Sequence, residues 1–165
     1  AGTTRKRVEE NMEFKELVAA FAAKNGIADM DAEGGSAALT ADGIRVELID
    51  DAMAHRIFVC AEIGHPPPDA NGCFGEMMLQ ANFLLYDTEG ATLCQNPATM
   101  AYAIVLPLQL GHIDAEILTK KISCVVNQVE RWRTVIAGIR KAEETRSDIR
   151  DDSHHDMIAS GHIHV

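Results

Sequence analysis

The segment from Gly75 to Pro107 constrains the fold most, because a methionine-rich apolar helix is followed there by two short apolar strands. A helix that is apolar on nearly all sides is buried on several sides. In a chain of this size, one sheet face cannot cover such a helix, so we predict that a second copy of the chain covers the rest. The apolar side chains of the helical part are Phe74, Met77, Met78, Ala81, Phe83, Leu84 and Leu85.

Length and charge limit the classes of partner. The 165 residues, with a mass of 18.0 kDa, fit one domain that buries a core without disulfides. The formal net charge is -10 and the pI is about 5.0, so the chain repels nucleic-acid phosphates and anionic membranes. We therefore predict protein partners, with neither nucleic acid nor membrane among them.

Four cysteines, Cys60, Cys73, Cys94 and Cys124, stand far apart without a C-x-x-C pair or clustered histidines. This spacing indicates neither a zinc site nor a disulfide framework, and we predict no metal and no cofactor. The cysteines favour a reducing compartment. No apolar run reaches the length of a membrane span and no signal-peptide core stands at the start, so we expect a cytoplasmic protein.

Hydrophobic periodicity predicts a helix and three strands before the methionine-rich helix. The helix extends from about Thr4 to Asn25. The dipeptide Asp42-Gly43 is a strong hairpin signal between the first two strands. The third strand stops before Pro66–Pro68, because three prolines supply no hydrogen-bond donors to a sheet.

After the methionine-rich helix, we predict two strands joined by a turn at Asn96-Pro97, and a last helix that starts near Asp114. The order helix, three strands, helix, two strands, helix predicts an α+β domain with a mainly antiparallel twisted sheet. The last helix has the most regular apolar stripe in the chain, with 4-3-4-3-4 spacing: Leu118, Ile122, Val125, Val129, Trp132 and Ile136.

The composition turns polar beyond Gly138, so we divide the chain into a domain of residues 1–139 and a mobile tail of residues 140–165. A metal site is one interpretation of the histidines in this tail. A solvated tail is the favoured interpretation, because no folded frame holds further ligands around them. The histidines are His154, His155, His162 and His164.

Catalytic motifs are sparse. No glycine-rich phosphate loop and no nucleophile elbow occurs in the sequence. The best catalytic candidate is Cys73 with His65, across the triproline loop, but no third group is identified that would orient them. We therefore predict that the chain is not an enzyme, with a small enzyme using this pair as the alternative. An amphipathic helix beside a strand with one apolar face can instead receive an extended segment of another chain.

Four short motifs carry a resemblance to a known family: Leu79-Gln80-Ala81-Asn82-Phe83, Gly90-Ala91-Thr92-Leu93, Leu106-Pro107-Leu108 and Glu130-Arg131-Trp132. In this order, from about Val8 to Ile136, the chain resembles the Tir chaperone (CesT-like) family, the class I chaperones of type III secretion. The triproline loop and the long tail depart from the compact pattern of that family.

The resemblance implies a small acidic homodimer that binds the extended N-terminal region of a secreted effector and keeps it soluble and secretion-competent without ATP. A regulatory adaptor of the same fold is a further alternative. The implied dimer contacts are Met77, Met78, Ala81, Leu84, Leu85 and Leu93. The implied effector contacts are Phe14, Leu17, Phe21, Leu39, Val46 and Leu48. These effector positions match by element alone, and Leu17, Val46 and Leu48 are equally consistent with a place in the core.

Overall fold

The computed structural model describes the backbone of residues 2–28 and 30–159, and the side chains of residues 14–28, 30–70, 72–142 and 144–145. Within these ranges the helices are α1 (Gly2–Asn25), α2 (Asn71–Ala81) and α3 (Ala115–Ala159). The strands are β1 (Ser36–Ala41), β2 (Ile44–Asp51), β3 (Arg56–Gly64), β4 (Thr92–Gln95) and β5 (Tyr102–Gln109). The predicted α+β class and element order are confirmed.

The five strands form one antiparallel sheet in the order β1-β2-β3-β5-β4, so β1 and β4 are its edges. The predicted hairpin joins β1 to β2. Asp42 and Gly43 both have left-handed backbones there, with φ of 51° and 75°. A two-residue turn with two positive φ angles matches the natural twist of the strands that it connects.

One face of the sheet, the inner face, is covered by α3, and α1 packs against α3. Side chains that alternate along the central strands are buried there, among them Val46, Leu48 and Val59. The whole predicted stripe of α3, from Leu118 to Ile136, is buried with them. Removal of this apolar surface from water is the main contribution to the stability of the domain.

One aromatic side chain fixes α2 to this core. Phe74 is fully buried, and its ring centre lies 5.0 Å from that of Tyr102 on β5 and 5.6 Å from that of Trp132 on α3. Both pairs are close to the edge-to-face arrangement that aromatic rings favour. The position of α2 therefore depends on both the sheet and α3.

The end of α2 differs from the sequence-based expectation. The helix ends at Ala81, and Phe83–Leu85 form a short 3-10 turn. Leu84 and Leu85 have positive φ angles of 58° and 56°, which an α-helix does not contain. The prediction that these two leucines belong to the methionine-rich helix is therefore wrong.

The end of α3 also extends further than expected. Its backbone is helical through Ala159, with no break between residues 139 and 140. The division at this point and the mobility of residues 140–165 stay predictions, and His162 and His164 lie outside the described residues. No helix in the described ranges is both long and apolar enough to cross a membrane.

We predict that Phe74→Ala lowers the free energy of unfolding by about 3–5 kcal/mol, because it leaves a cavity between α2, β5 and α3. Urea unfolding at one fixed protein concentration measures this change. Met53→Ala, at a side chain that is 85% exposed, is the matched control and should change stability by less than about 0.5 kcal/mol. Equal losses in both variants would show that Phe74 does not anchor α2.

Candidate functional site

A group of exposed apolar side chains lies at the end of α2 and in the turn after it. We define the α2 patch as Met77, Leu79, Phe83, Leu84, Leu85 and Tyr86. Leu79, Phe83 and Tyr86 are 74%, 76% and 82% exposed. No residue from 77 to 86 is charged, although the chain as a whole has a net charge of -10. Single exposed apolar residues are ordinary, but six within ten successive uncharged residues favour a contact with another protein.

The predicted dimer contacts fall into two groups. Met77, Leu84 and Leu85 belong to the α2 patch, and Ala81 is half-buried. Met78 and Leu93 are buried in the core of the protomer itself. We therefore expect Met78 and Leu93 to support the patch from inside the protomer, and the dimer contact itself stays a prediction.

Three exposed residues of the patch were absent from the predicted dimer contact: Leu79, Phe83 and Tyr86. A continuous helix would place Leu84 and Leu85 beside Met77 and Ala81, whereas the turn after Ala81 exposes Phe83 and Tyr86 as well. The uncharged run from 77 to 86 is the signal in the sequence that could have found them.

The outer edge of β4 is closed by a side chain. Asn82 Nδ2 donates to the carbonyl oxygen of Leu93 at 3.0 Å, and Asn82 Oδ1 accepts from the backbone N–H of Leu93 at 2.9 Å. The carboxamide thereby makes the two hydrogen bonds that a neighbouring strand would make. Because β4 spans only Thr92–Gln95, little of this edge is left for another chain.

The opposite edge of the sheet, β1, is open. In a two-residue hairpin the residues that flank the turn, here Ala41 and Ile44, form a hydrogen-bonded pair, and bonded and non-bonded pairs alternate from there. The backbone N–H and C=O groups of Ala38 and Thr40 therefore point away from β2. The strand contains neither a charge nor a proline, two devices by which edge strands avoid pairing with other chains.

The outer face of the sheet, opposite α3, forms a groove with a volume of about 690 Å³. Ile49, Cys60 and Val105 contribute apolar surface to it. Burial raises the pKa of the half-buried Cys60 thiol to about 11, with smaller contributions from nearby Cys94 and Glu47.

The rim of this groove is polar. Arg45 Nε and Glu47 Oε1 form an ion pair at 3.0 Å. On the other side, Glu62 Oε1 accepts hydrogen bonds from Thr99 at 2.6 Å and from Asn96 at 3.0 Å. An apolar floor with a hydrogen-bonded polar rim suits an apolar segment of another protein better than a charged small molecule.

The predicted effector contacts lie mostly in the core. Leu39, on the inner side of β1, is half-buried. The alternative interpretation of Leu17, Val46 and Leu48 as core residues agrees with their burial, and effector contact at the six positions stays a prediction. The five buried residues are Phe14, Leu17, Phe21, Val46 and Leu48.

The candidate catalytic pair is not joined by a hydrogen bond in the described part of the chain. His65 Nε2 lies 3.3 Å from the carbonyl oxygen of Thr99, and Cys73 is exposed on α2. Among residues whose placement is described, no group of three or more His, Cys, Asp or Glu side chains could hold a metal ion. This arrangement does not support the enzyme alternative.

A comparison with family models identifies the family of the chain. The sequence matches the model of the Tir chaperone protein (CesT) family over residues 16–133. The chain belongs to the Tir chaperone family. The match includes the whole sheet and α2, while α3 of this family member continues beyond residue 133 to Ala159. The resemblance stated from the four motifs is confirmed.

Solved structures share the fold of this Tir chaperone family member. A chain of the HopA1-SchA chaperone-effector complex aligns with a TM-score of 0.63 and 16% identity, covering 75% of this chain and 95% of that chain. A chain of the ExsC-ExsE complex aligns with a TM-score of 0.60 and 19% identity, covering 73% and 91% respectively.

A third match is a chain from the structure of the Yersinia pestis type III secretion chaperone SycH in complex with a stable fragment of YscM2. Its TM-score is 0.59 and its identity 14%, and the alignment covers 72% of this chain and 98% of that chain. No curated protein sequence matches this family member. At these identities, the structural matches establish a shared fold.

Thiol labelling tests the enzyme alternative. We predict that Cys73 reacts with iodoacetamide at pH 8 as fast as a free cysteine peptide, because it is exposed on α2. Burial raises the pKa of Cys60 and Cys124 to about 11, so roughly one thiol in a thousand is ionised and these two react far more slowly. Peptide mass spectrometry measures each rate. A Cys73 rate well above that of the free peptide would support the enzyme alternative.

Proposed function

We propose that this protein is a type III secretion chaperone that binds the extended N-terminal segment of a secreted effector as a homodimer and keeps it secretion-competent without ATP. The observation that carries the proposal is the family match over residues 16–133. We extend the proposal to the cytoplasm as the place of action and to the absence of catalysis, in keeping with the family. The HopA1-SchA match is a chaperone-effector complex, which supports an effector as the partner.

The proposed dimer contact is the α2 patch. Two copies of a chain with a net charge of -10 repel each other, and a contact between uncharged surfaces avoids the additional cost of bringing like charges close together. Residues 77–86 meet this condition, and they include the exposed rings of Phe83 and Tyr86. Aromatic side chains at the centre of an interface contribute much of its binding energy.

The proposed effector contact begins at the open edge of β1. An extended segment that pairs with Ala38 and Thr40 would make main-chain hydrogen bonds that do not depend on its sequence. Its side chains on the inner side would lie next to the half-buried Leu39. The closed edge of β4 cannot offer the same bonds, because Asn82 already occupies Leu93.

The groove on the outer face gives a second contact for the same effector. An unfolded segment loses conformational entropy when it binds, so it needs a large contact surface to offset this cost. The groove borders the β1–β2 hairpin through Gly43 and Arg45, so a segment added to β1 can continue across the outer face. Two subunits present this surface twice.

The first experiment identifies the effector. We predict that affinity purification of the full chain from its native cell, followed by mass spectrometry, recovers one or a few secreted proteins, and that limited proteolysis of the complex protects a segment near the effector N-terminus. Repeated purification of the chain with no other protein, or with a globular domain alone, would contradict the proposal.

The second experiment tests the dimer contact. We predict that Phe83→Glu raises the dimer dissociation constant by about tenfold or more, because it places an unpaired charge in an apolar contact. Sedimentation velocity over a concentration series measures this constant, and circular dichroism verifies the fold. Met53→Glu, an equally exposed position on the β2–β3 turn, is the control. A Phe83→Glu protein with unchanged dimer affinity would exclude the α2 patch as the contact.

The third experiment tests strand addition with a synthetic peptide of the protease-protected effector segment. We predict that Ala38→Pro weakens peptide binding by about tenfold or more, because proline removes an outward N–H donor while the bonds from β1 to β2 remain. Isothermal titration calorimetry measures the affinity. Gln95→Pro, at an outward position of the closed edge of β4, is the matched control. If Gln95→Pro abolishes peptide binding and Ala38→Pro does not, the effector pairs with β4 instead of β1. That result would contradict the proposal.

A further inference from the structure

The loop that follows α2 is strained and is held in place by polar contacts. It extends from Asn82 to Ala91 and contains three non-glycine residues with positive φ: Leu84, Leu85 and Glu89. Each such residue costs on the order of 1 kcal/mol relative to a relaxed backbone. The loop therefore keeps this conformation only if other contacts offset the strain.

Part of this compensation lies inside the loop. Thr88 is fully buried, and its hydroxyl donates to the carbonyl oxygen of Ala91 at 2.5 Å. The backbone N–H of Gly90 donates to the carbonyl oxygen of Leu85 at 3.0 Å. These bonds close the loop on itself, but they do not fix its orientation relative to the rest of the domain.

Asn82 ties the start of the loop to Leu93 of β4, and three side chains of α3 hold the part from Asp87 to Glu89. Cys124 Sγ donates to Glu89 Oε2 at 2.9 Å, and Gln128 Nε2 donates to Glu89 Oε1 at 3.2 Å. Arg131 Nη1 donates to the carbonyl oxygen of Asp87 at 3.1 Å. Residues 124, 128 and 131 have helical spacing and lie on one side of α3. We call these three residues the α3 clamp.

Glu89 is suited to this role because an ionised carboxylate only accepts hydrogen bonds and has two oxygens to offer. The bonds from Cys124 and Gln128 hold the pKa of Glu89 below its ordinary value, and Lys121 and Arg131 add favourable charge. Gln128 is buried, so loss of its partner would leave a buried amide donor unpaired.

We propose that the α3 clamp is the positioning device of the dimer contact: it holds loop 82–91 in the one conformation that presents Phe83, Leu84 and Tyr86 to a second copy of the chain. This inference rests on the proposed dimer contact and assigns its control to residues outside the patch. The clamp residues act through the loop and need not touch the partner.

Two substitutions release the loop. Glu89→Ala removes the acceptor, and Gln128→Leu replaces a buried donor with an apolar side chain of similar size. We expect each to raise the dimer dissociation constant by about tenfold, because the loop then samples conformations that do not match the partner. Hydrogen exchange of the Gly90 and Ala91 amides should become faster in both variants.

If the α3 clamp only stabilised the protomer, the variants would show a different combination of unfolding free energy and dimer affinity. Gln128→Leu adds apolar surface to a buried position, so the free energy of unfolding of the protomer should be unchanged or higher although dimerisation is weaker. Cys124→Ser keeps a donor at the same place and should retain the dimer affinity of the wild type. Glu130→Ala removes a charge from the exposed side of α3 and serves as the control for charge alone.

The outcomes separate the two proposals. Wild-type dimer affinity in both Glu89→Ala and Gln128→Leu, combined with dissociation of Phe83→Glu, would overturn the clamp and leave the dimer contact standing. Wild-type affinity in Phe83→Glu as well would overturn both. Equal weakening by Glu89→Ala and Glu130→Ala would show that the effect is not specific to the bonds of Glu89 and would also overturn the clamp.

Discussion

The packing of Phe74 between Tyr102 and Trp132 determines where the exposed surfaces of this protein lie. Because Phe74 enters the core from the first half of α2, the helix stands against β5 and α3 at one end, and its other end reaches the surface. Leu79 and the turn after Ala81 are then exposed whatever their own preference for burial. The packing of Phe74 in the core therefore places these apolar side chains at the surface. A second protein is the natural means of covering them.

The distribution of charge favours association through the α2 patch over association through other surfaces. All of the acidic side chains lie outside residues 77–86, so the net charge of -10 opposes random association over most of the molecule, while the proposed dimer contact carries no charge of its own. The same charge keeps a protein with exposed apolar groups from aggregating. Specific self-association and solubility are therefore compatible in one small chain.

The sequence predicted those parts of the structure that depend on local periodicity. The α3 stripe is buried as its spacing indicates, and Asp42-Gly43 forms the expected hairpin because both residues tolerate positive φ. The end of α2 could not be predicted in this way. The left-handed backbones of Leu84 and Leu85 contradict local preference, and the loop that contains them is held by bonds from Asp87 and Glu89 to α3 residues that are distant in sequence.

The site was harder to predict than the fold for a related reason. An alternating strand such as β2 shows that one face is apolar, but it does not show whether a helix of the same chain or a partner covers that face. Val46 and Leu48 are covered by the chain's own helices. The open edge of β1 and the closed edge of β4 follow from strand order and from the side chain of Asn82, and neither is visible in periodicity.

The long last helix binds the end of β3 and the residue just before the triproline loop. Arg133 Nε donates to the carbonyl oxygen of Ile63 at 3.0 Å, and Arg140 Nη2 donates to the carbonyl oxygen of His65 at 3.0 Å. Prolines 66 to 68 supply no N–H groups, so this part of the backbone cannot continue the sheet. Arginines at the end of the family match and just beyond it bind the carbonyl groups before the prolines instead. The first turns of the α3 extension thereby stabilise a loop that leads directly into α2.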